Sequence, residues 1–301
     1  MDRLRGPRLE RLLALGLAIL TSITVAKLLY EWQGRPAPVG NGASGQFPAP
    51  PALSRAVVWA VGDGAVDLPS ARALARRIAA DRPDRFLYLG DVYQRGTAAE
   101  FRENYDRVYG RLRAITAPTP GNHDWPRHAD GYDPYWSTLT GGRPPAHYSF
   151  RLAGWQILSL NSEEPLGSDS RQLRWLSRRI RDPGTCRLAF WHRPRYSAGE
   201  HGDQDDVDPL WRALRGRARL VVNGHDHNLQ RLRPIDGITE MIAGAGGKSR
   251  YDLDEDDNRL AFARADVDGA LRLELSRGLA RYRFVTATGD VLDSGLVRCT
   301  P

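Results

Sequence analysis

The chain has 301 residues, 41% hydrophobic and 26% charged, a globular balance that excludes wholesale disorder and a polytopic membrane protein. Its formal net charge of +7 does not mark a nucleic-acid surface. Residues 1–35 carry six basic against three acidic side chains, leaving +4 for the rest, and only Lys27 and Lys248 accompany arginines that are scattered rather than set in a basic tract.

In chain order, a basic stretch ending at Arg11 runs into an uncharged apolar segment from Leu12 to Ala26, followed by Lys27, Tyr30 and Trp32. The run through Tyr30 approaches the roughly 20 residues needed to cross a bilayer, with Lys27 able to snorkel and two aromatics suited to the interface. No convincing small-x-small cleavage site directly follows the apolar run, so residues 1–32 are expected to stay as a signal-anchor or transmembrane segment. Its basic side should remain cytoplasmic, making the protein membrane-anchored with an extracytoplasmic body, or secreted if the segment is cleaved. Residues 33–54, rich in Pro and Gly without hydrophobic period, read as a flexible linker. The catalytic domain is expected over residues 55–301.

Short apolar runs then alternate with helical stretches. AVVWAVGD is followed by a helix around Ser70–Ala80, FLYLGD by a helix around Ala98–Leu112, the beat of βαβ units. YSFRL and WQILSLN, separated by Ala153 and Gly154, read as a hairpin. SRQLRWLSRRI puts Leu173, Leu176 and Ile180 on one helical face. LAFWH and LVVNGH are short buried strands, and beyond Gln230 the pattern turns mostly to β, with strands expected near 238–243, 260–266, 270–276, 281–286 and 291–297. The fold class is therefore α/β, two packed mixed sheets flanked by helices. Cys186 and Cys299 suit an oxidising destination; paired, they would staple the last strand to the body, and otherwise they are two unrelated small side chains.

Five apolar strands end in residues that bind metals: Asp63 in VGDGA, Asp91 in LGDVY, Asn122, His123 and Asp124 in GNHD, His192 in FWH, and His225 and His227 in NGHDH. In α/β folds ligands collect beyond the carboxyl ends of strands, so these distant stretches can meet at one rim. A Gly precedes the ligand-type residue in four of the five, as expected where backbone turns sharply out of a strand. Two cations about 3.5–4 Å apart need a bridging anion, for which a carboxylate serves. Mixed imidazole and oxygen ligation points to transition metals such as iron, zinc or manganese.

With these motifs in order, residues 55–247 resemble the calcineurin-like metallophosphoesterases, especially the purple acid phosphatase branch. GDGA is similar to that branch's GD-x-G, with Ala65 where other members have a histidine. The resemblance implies a four-layer α/β/β/α sandwich and a binuclear site. Asp63, Asp91 and His227 would hold one metal and Asp91, Asn122, His192 and His225 the other, with Asp91 bridging. One departure stands out: the branch has a tyrosine three residues after the bridging Asp, where this chain has Gln94, with Tyr93 one place earlier. Tyr93 is left either a ligand or a neighbour. The branch's amino-terminal fibronectin-like domain has no counterpart between linker and first strand.

A metal-bound hydroxide is the expected nucleophile on a phosphate ester. Adjacent side chains diverge, so with Asn122 a ligand and phosphate neighbour, His123 should face the substrate, oriented by Asp124. The resemblance makes His201 a substrate-facing histidine able to protonate the leaving group; an exposed loop histidine is its plainer reading. His128 and His147 are expected to be structural or solvent residues. The leading expectation is a phosphomonoesterase. A phosphodiesterase using the same site is the alternative, and a catalytically silent surface-binding module retaining the fold is the third. Phosphate ester and membrane are the expected partners.

Overall fold

The computed structural model describes residues 46–299. The expected anchor and most of the expected linker lie outside the described residues. Two sheets make up the body. The six-stranded sheet runs in the order β13 (Val291–Arg298), β12 (Leu279–Thr286), β11 (Gly269–Ser276), β1 (Arg55–Val61), β2 (Arg85–Tyr88), β3 (Thr116–Pro118). The seven-stranded sheet runs β10 (Leu260–Arg264), β8 (Leu229–Leu232), β9 (Thr239–Ala243), β7 (Leu220–Asn223), β6 (Cys186–Phe190), β5 (Trp155–Ser159), β4 (Tyr148–Leu152). Strands β1, β2 and β3 are parallel, as are β5, β6, β7 and β9; the remaining pairings are antiparallel.

Side-chain alternation explains why these strands read as continuous apolar runs. Successive residues point to opposite faces, and both faces are covered. Val58 and Ala60 of β1 join Leu188 and Phe190 of β6 and Val222 of β7 in the core between the sheets. Trp59 and Val61 face outward, with Phe86 and Tyr88, against Leu74 and Ile78 of the helix Pro69–Ala80. Ala189, Trp191 and Val221 face the other way, against Leu176 of the helix Arg171–Arg179 and Leu210 and Trp211 of the helix Asp208–Leu214. The four-layer sandwich expected from the sequence is present.

The helix expected over Ala98–Leu112 is not uniform. It starts at a Thr97–Glu100 capping box, opens into a π turn over Phe101–Tyr105, returns to α over Asp106–Tyr109 and ends as a 3-10 turn over Gly110–Ile115. The broken register suits an aromatic pile in which Tyr105 packs edge-on against Tyr88 at 5.0 Å and Trp136 at 5.2 Å. Asn104, within the π turn, donates to the carbonyl of Tyr93. At the opposite edge, Cys186 and Cys299 form a disulfide, tying β6 to the end of β13 across the two sheets.

Candidate metal centre

The parallel strands deliver their carboxyl ends to one rim. Asp63, Asp91 and His225, each just past a strand, adopt left-handed backbone conformations with φ of 60°, 67° and 71°, a region costly to most side chains but visited more readily by Asp and His. Their neighbours must be small. A Cβ on Gly121 would fall 2.0 Å from Asp91 Oδ1, and Gly90, at φ +103°, would place one 2.7 Å from His192 Nδ1.

Asp63, Asp91 and His192 are all buried, with potential ligand atoms within 4.8 Å of one another. Around them the polar contacts fall into two groups. In the first, the Tyr93 hydroxyl donates to Asp63 Oδ1 at 2.8 Å, and the hydroxyl oxygen itself lies 2.8 Å from His227 Nε2. His227 Nε2 is 3.5 Å from Asp63 Oδ1. In the second, His192 Nε2 is 3.4 Å from Asp91 Oδ2, 2.9 Å from Asn122 Oδ1 and 3.2 Å from His225 Nδ1. All six expected ligand side chains thus converge on one cup.

The imidazoles are oriented from behind. His192 Nδ1 donates to the carbonyl of Leu89 at 2.8 Å and His227 Nδ1 to that of Ser249 at 2.6 Å. That fixes the tautomer and turns each Nε2 toward the cup, the usual support for a metal-ligating histidine. Charge bears on the same use in both directions. Burial alone would raise the Asp91 carboxyl, but the neighbouring His192 holds it low; burial would lower His192, but Asp91 and Asp63 raise it. Burial and the charges of His192 and His201 push His225 down to about 2, keeping it a neutral imidazole. The ionised Asp91 carboxylate and the neutral His225 imidazole are protonation states that a cation requires, whereas His192, held protonated between carboxylates, would have to release its Nε2 proton as an ion binds. The mixed oxygen and nitrogen donors fit transition-type ions.

Asp124 does not orient His123. The two side chains diverge from the loop, and the buried Asp124 carboxylate instead accepts the backbone N–H groups of Asp91 at 2.9 Å, Val92 at 2.8 Å and Gly121 at 3.0 Å. Burial and the nearby Asp91 charge push Asp124 up. His123 is held through Nδ1, which donates to the carbonyl of Gln94 at 2.6 Å, and its Nε2 stands 3.8 Å from Asp91 Oδ2. His201 is exposed and stacks on His225 at 4.2 Å. His128 pairs with Asp133 and His147 with Glu164.

Two further side chains reach the rim that sequence reasoning did not single out. Tyr251 stacks on His227 at 3.9 Å and meets His201 edge-on at 5.0 Å; nothing in its local sequence signals this. Asp226, inside the GHDH motif, is fully buried and accepts from Ser197 Oγ at 2.5 Å and from the backbone of His201 at 3.0 Å. Its place between two histidines was the signal available.

A two-sheet sandwich that brings carboxylates, an amide and imidazoles to one strand-end rim defines a class of metal-dependent hydrolases. The chain belongs to the calcineurin-like phosphoesterase family, whose sequence profile matches residues 56–229. It is a metal-dependent phosphoester hydrolase. A Synechococcus protein described as a probable cyclic nucleotide phosphodiesterase is 26% identical over 227 residues, spanning 70% of this chain and 84% of that protein. Among solved structures, the purple acid phosphatase PPD1 from yellow lupin (Lupinus luteus) seeds is similar in fold, with a TM-score of 0.67 at 16% identity over 84% of this chain and 55% of that one. So is GAP50, described as the anchor in the inner membrane complex of Plasmodium, with a TM-score of 0.69 at 16% identity over 83% of this chain and 90% of that one.

Proposed function

We propose that the chain is a binuclear phosphomonoesterase, with Asp63 and His227 serving one ion, Asn122, His192 and His225 the other, and Asp91 bridging. The observation that carries this reading is the division of the contacts into two groups, Asp63–Tyr93–His227 and Asp91–Asn122–His192–His225. Cations bound there supply Lewis acidity and a water acidic enough to ionise near neutral pH. The chain's own side chains do the rest. His123 and His201 enter from loops of opposite sheets, and neither is fully buried. His123, with Nδ1 committed to Gln94, offers Nε2 to a phosphoryl oxygen; His201 protonates the leaving oxygen. Two imidazole donors match the extra charge of a monoester dianion. Tyr93, hydrogen-bonded to Asp63, orients that carboxylate.

A diesterase is the second reading, favoured by the probable cyclic nucleotide phosphodiesterase among the relatives. The test is to purify the wild-type chain and Asp91→Asn, measure bound metal, and compare hydrolysis of p-nitrophenyl phosphate with its bis ester. Two equivalents of metal and faster monoester turnover are expected, with loss of at least ~100-fold in the variant, several kcal/mol of transition-state stabilisation. One equivalent of metal would overturn the binuclear reading, and faster turnover of the bis ester would turn the assignment to the diesterase.

We place the catalytic body outside a membrane, tethered by residues 1–32. Among the described residues no helix is long and apolar enough to cross a membrane, so this rests on the apolar segment and on a disulfide suited to an oxidising compartment.

A further inference from the structure

At the far end of β2 from the metal centre, Arg85 opens the strand whose continuation carries Asp91. Six residues of extended chain put the two roughly 20 Å apart. Arg85 is only 3% exposed. Its Nη1 and Nη2 donate to the carbonyls of Ile115 and Pro48, and its Nε has no partner. Among the described residues no carboxylate pairs with it; its guanidinium lies 5.1 Å from the centre of the Phe150 ring. Arg187 shows how this chain treats a buried guanidinium that is only structural. It is 1% exposed and meets four acceptors, Gln156 Oε1 and the carbonyls of Thr185, Arg217 and Asp182. Arg85 bears comparable desolvation, which lowers its pKa, with half as many acceptors. A buried cation in that condition is costly until an anion reaches it.

Arg85 lines a cavity of about 310 Å³ between the edge strands β3 and β4. Phe47, Phe150, Trp175, His147 and Arg179 share the lining. Arg179 is exposed, lies 5.7 Å from the centre of the Trp175 ring, and forms no ion pair among the described residues. Among the described residues no carboxylate lines the cavity, and Glu164, beside it, is engaged by His147. Aromatic rings set among polar groups, two guanidiniums without carboxylate partners among the described residues and a volume in the range of small-molecule sites call for one kind of occupant. We infer that this cavity binds a small planar organic monoanion, an aromatic carboxylate, whose charge meets Arg85 and Arg179 while its ring lies against Phe150 and Trp175.

The test is calorimetric titration of the full-length chain with benzoate, with benzamide and acetate as the neutral and the ringless controls. Saturable 1:1 binding of benzoate is expected, at least tenfold tighter than either control. Arg85→Met tests the buried charge but can fail to fold, so Arg179→Ala, exposed at the end of the helix Arg171–Arg179, serves beside it, with Trp175→Ala, half-buried on the same helix, as the test of the ring contact. Each should weaken benzoate tenfold or more while leaving phosphoester hydrolysis unchanged. Asp91→Asn should bind benzoate as the wild type does. No saturable heat, equal affinity for benzamide, indifference to both helix variants, or loss of binding in Asp91→Asn would each overturn the assignment.

Discussion

The two sheets contribute unlike chemistry to the same rim. The six-stranded sheet brings the oxygen donors Asp63, Asp91 and Asn122 from the ends of β1, β2 and β3; the seven-stranded sheet brings the imidazoles His192, His225 and His227 from the ends of β6 and β7. Neither sheet alone holds the cup. The oxygen side is rigid from within, because Asp124 takes three backbone N–H groups of its own loops and Glu100 takes those of Gln94, Arg95 and Thr97. The imidazole side is pinned by two buried acids of its own. Asp226 holds Ser197 and His201, and Glu240 accepts from the backbone of Arg195 at 2.9 Å and Tyr196 at 3.1 Å. A site shared between two sheets therefore depends on how the sheets are joined and on how firmly each secures its own loops.

The largest test of that dependence is the disulfide. It joins β6 at its amino end to the residue after β13, whereas His192 follows the carboxyl end of β6. Closing a loop of 113 residues is worth about 4–5 kcal/mol by chain entropy. Cys186→Ser with Cys299→Ser should lower stability by about that amount in denaturant titration, while turnover of the folded protein stays within about twofold. Equal loss of activity in the folded state would show that the two ends of the sandwich do not act independently.

The imidazole side can be loosened by itself. Asp226→Ala removes the acceptor for both Ser197 Oγ and the His201 backbone, freeing the loop that carries His201. An outer contact of this kind is worth about 10- to 100-fold in activity, so kcat should fall by that factor with metal content kept. A matching loss of metal would instead mean that Asp226 acts through His225 and His227, and that the loop matters less.

What the sequence made legible follows from where each residue sits. Every expected ligand stands at the end of an apolar run, and a run buried on both faces, such as β1 or β6, announces itself without long-range information. The supporting acids do not. Glu240 lies within β9, where nothing in TEMIA indicates that its partners are Arg195 and Tyr196, some 44 residues earlier. Asp124 was visible in GNHD, but its partners were not, since local adjacency suggested His123 while the carboxylate turns to backbone amides across the loop. Tyr93 and Tyr251 reach the cup through loop paths that carry no periodicity, and the π turn at Phe101–Tyr105 reflects aromatic packing against Tyr88 and Trp136, brought together only by the fold.

Glu240 gives the smallest and most graded effect. It is buried, and burial raises its pKa from the ordinary 4.5 to about 8, against the lowering pull of two backbone N–H groups and Arg195 and with Asp203 adding to the rise. A carboxyl whose folded pKa exceeds its unfolded one binds its proton more tightly in the native state. Its contribution is thus full below the unfolded pKa and falls as pH climbs toward the folded one, at about 1.4 kcal/mol per unit. Stability of the wild-type chain should decline by at least that slope between pH 5.5 and 7.5, with the raised Asp124 carboxyl adding to it below about pH 7, in the phosphate-free buffers needed to keep ligands out. Glu240→Gln keeps an acceptor for one of the two N–H groups and removes the titration, so its stability should be lower at pH 5.5 and flatter above. The same slope in the variant would assign the decline to another group, and Glu240 would then hold the Arg195 and Tyr196 amides as a carboxylate ionised across the whole window.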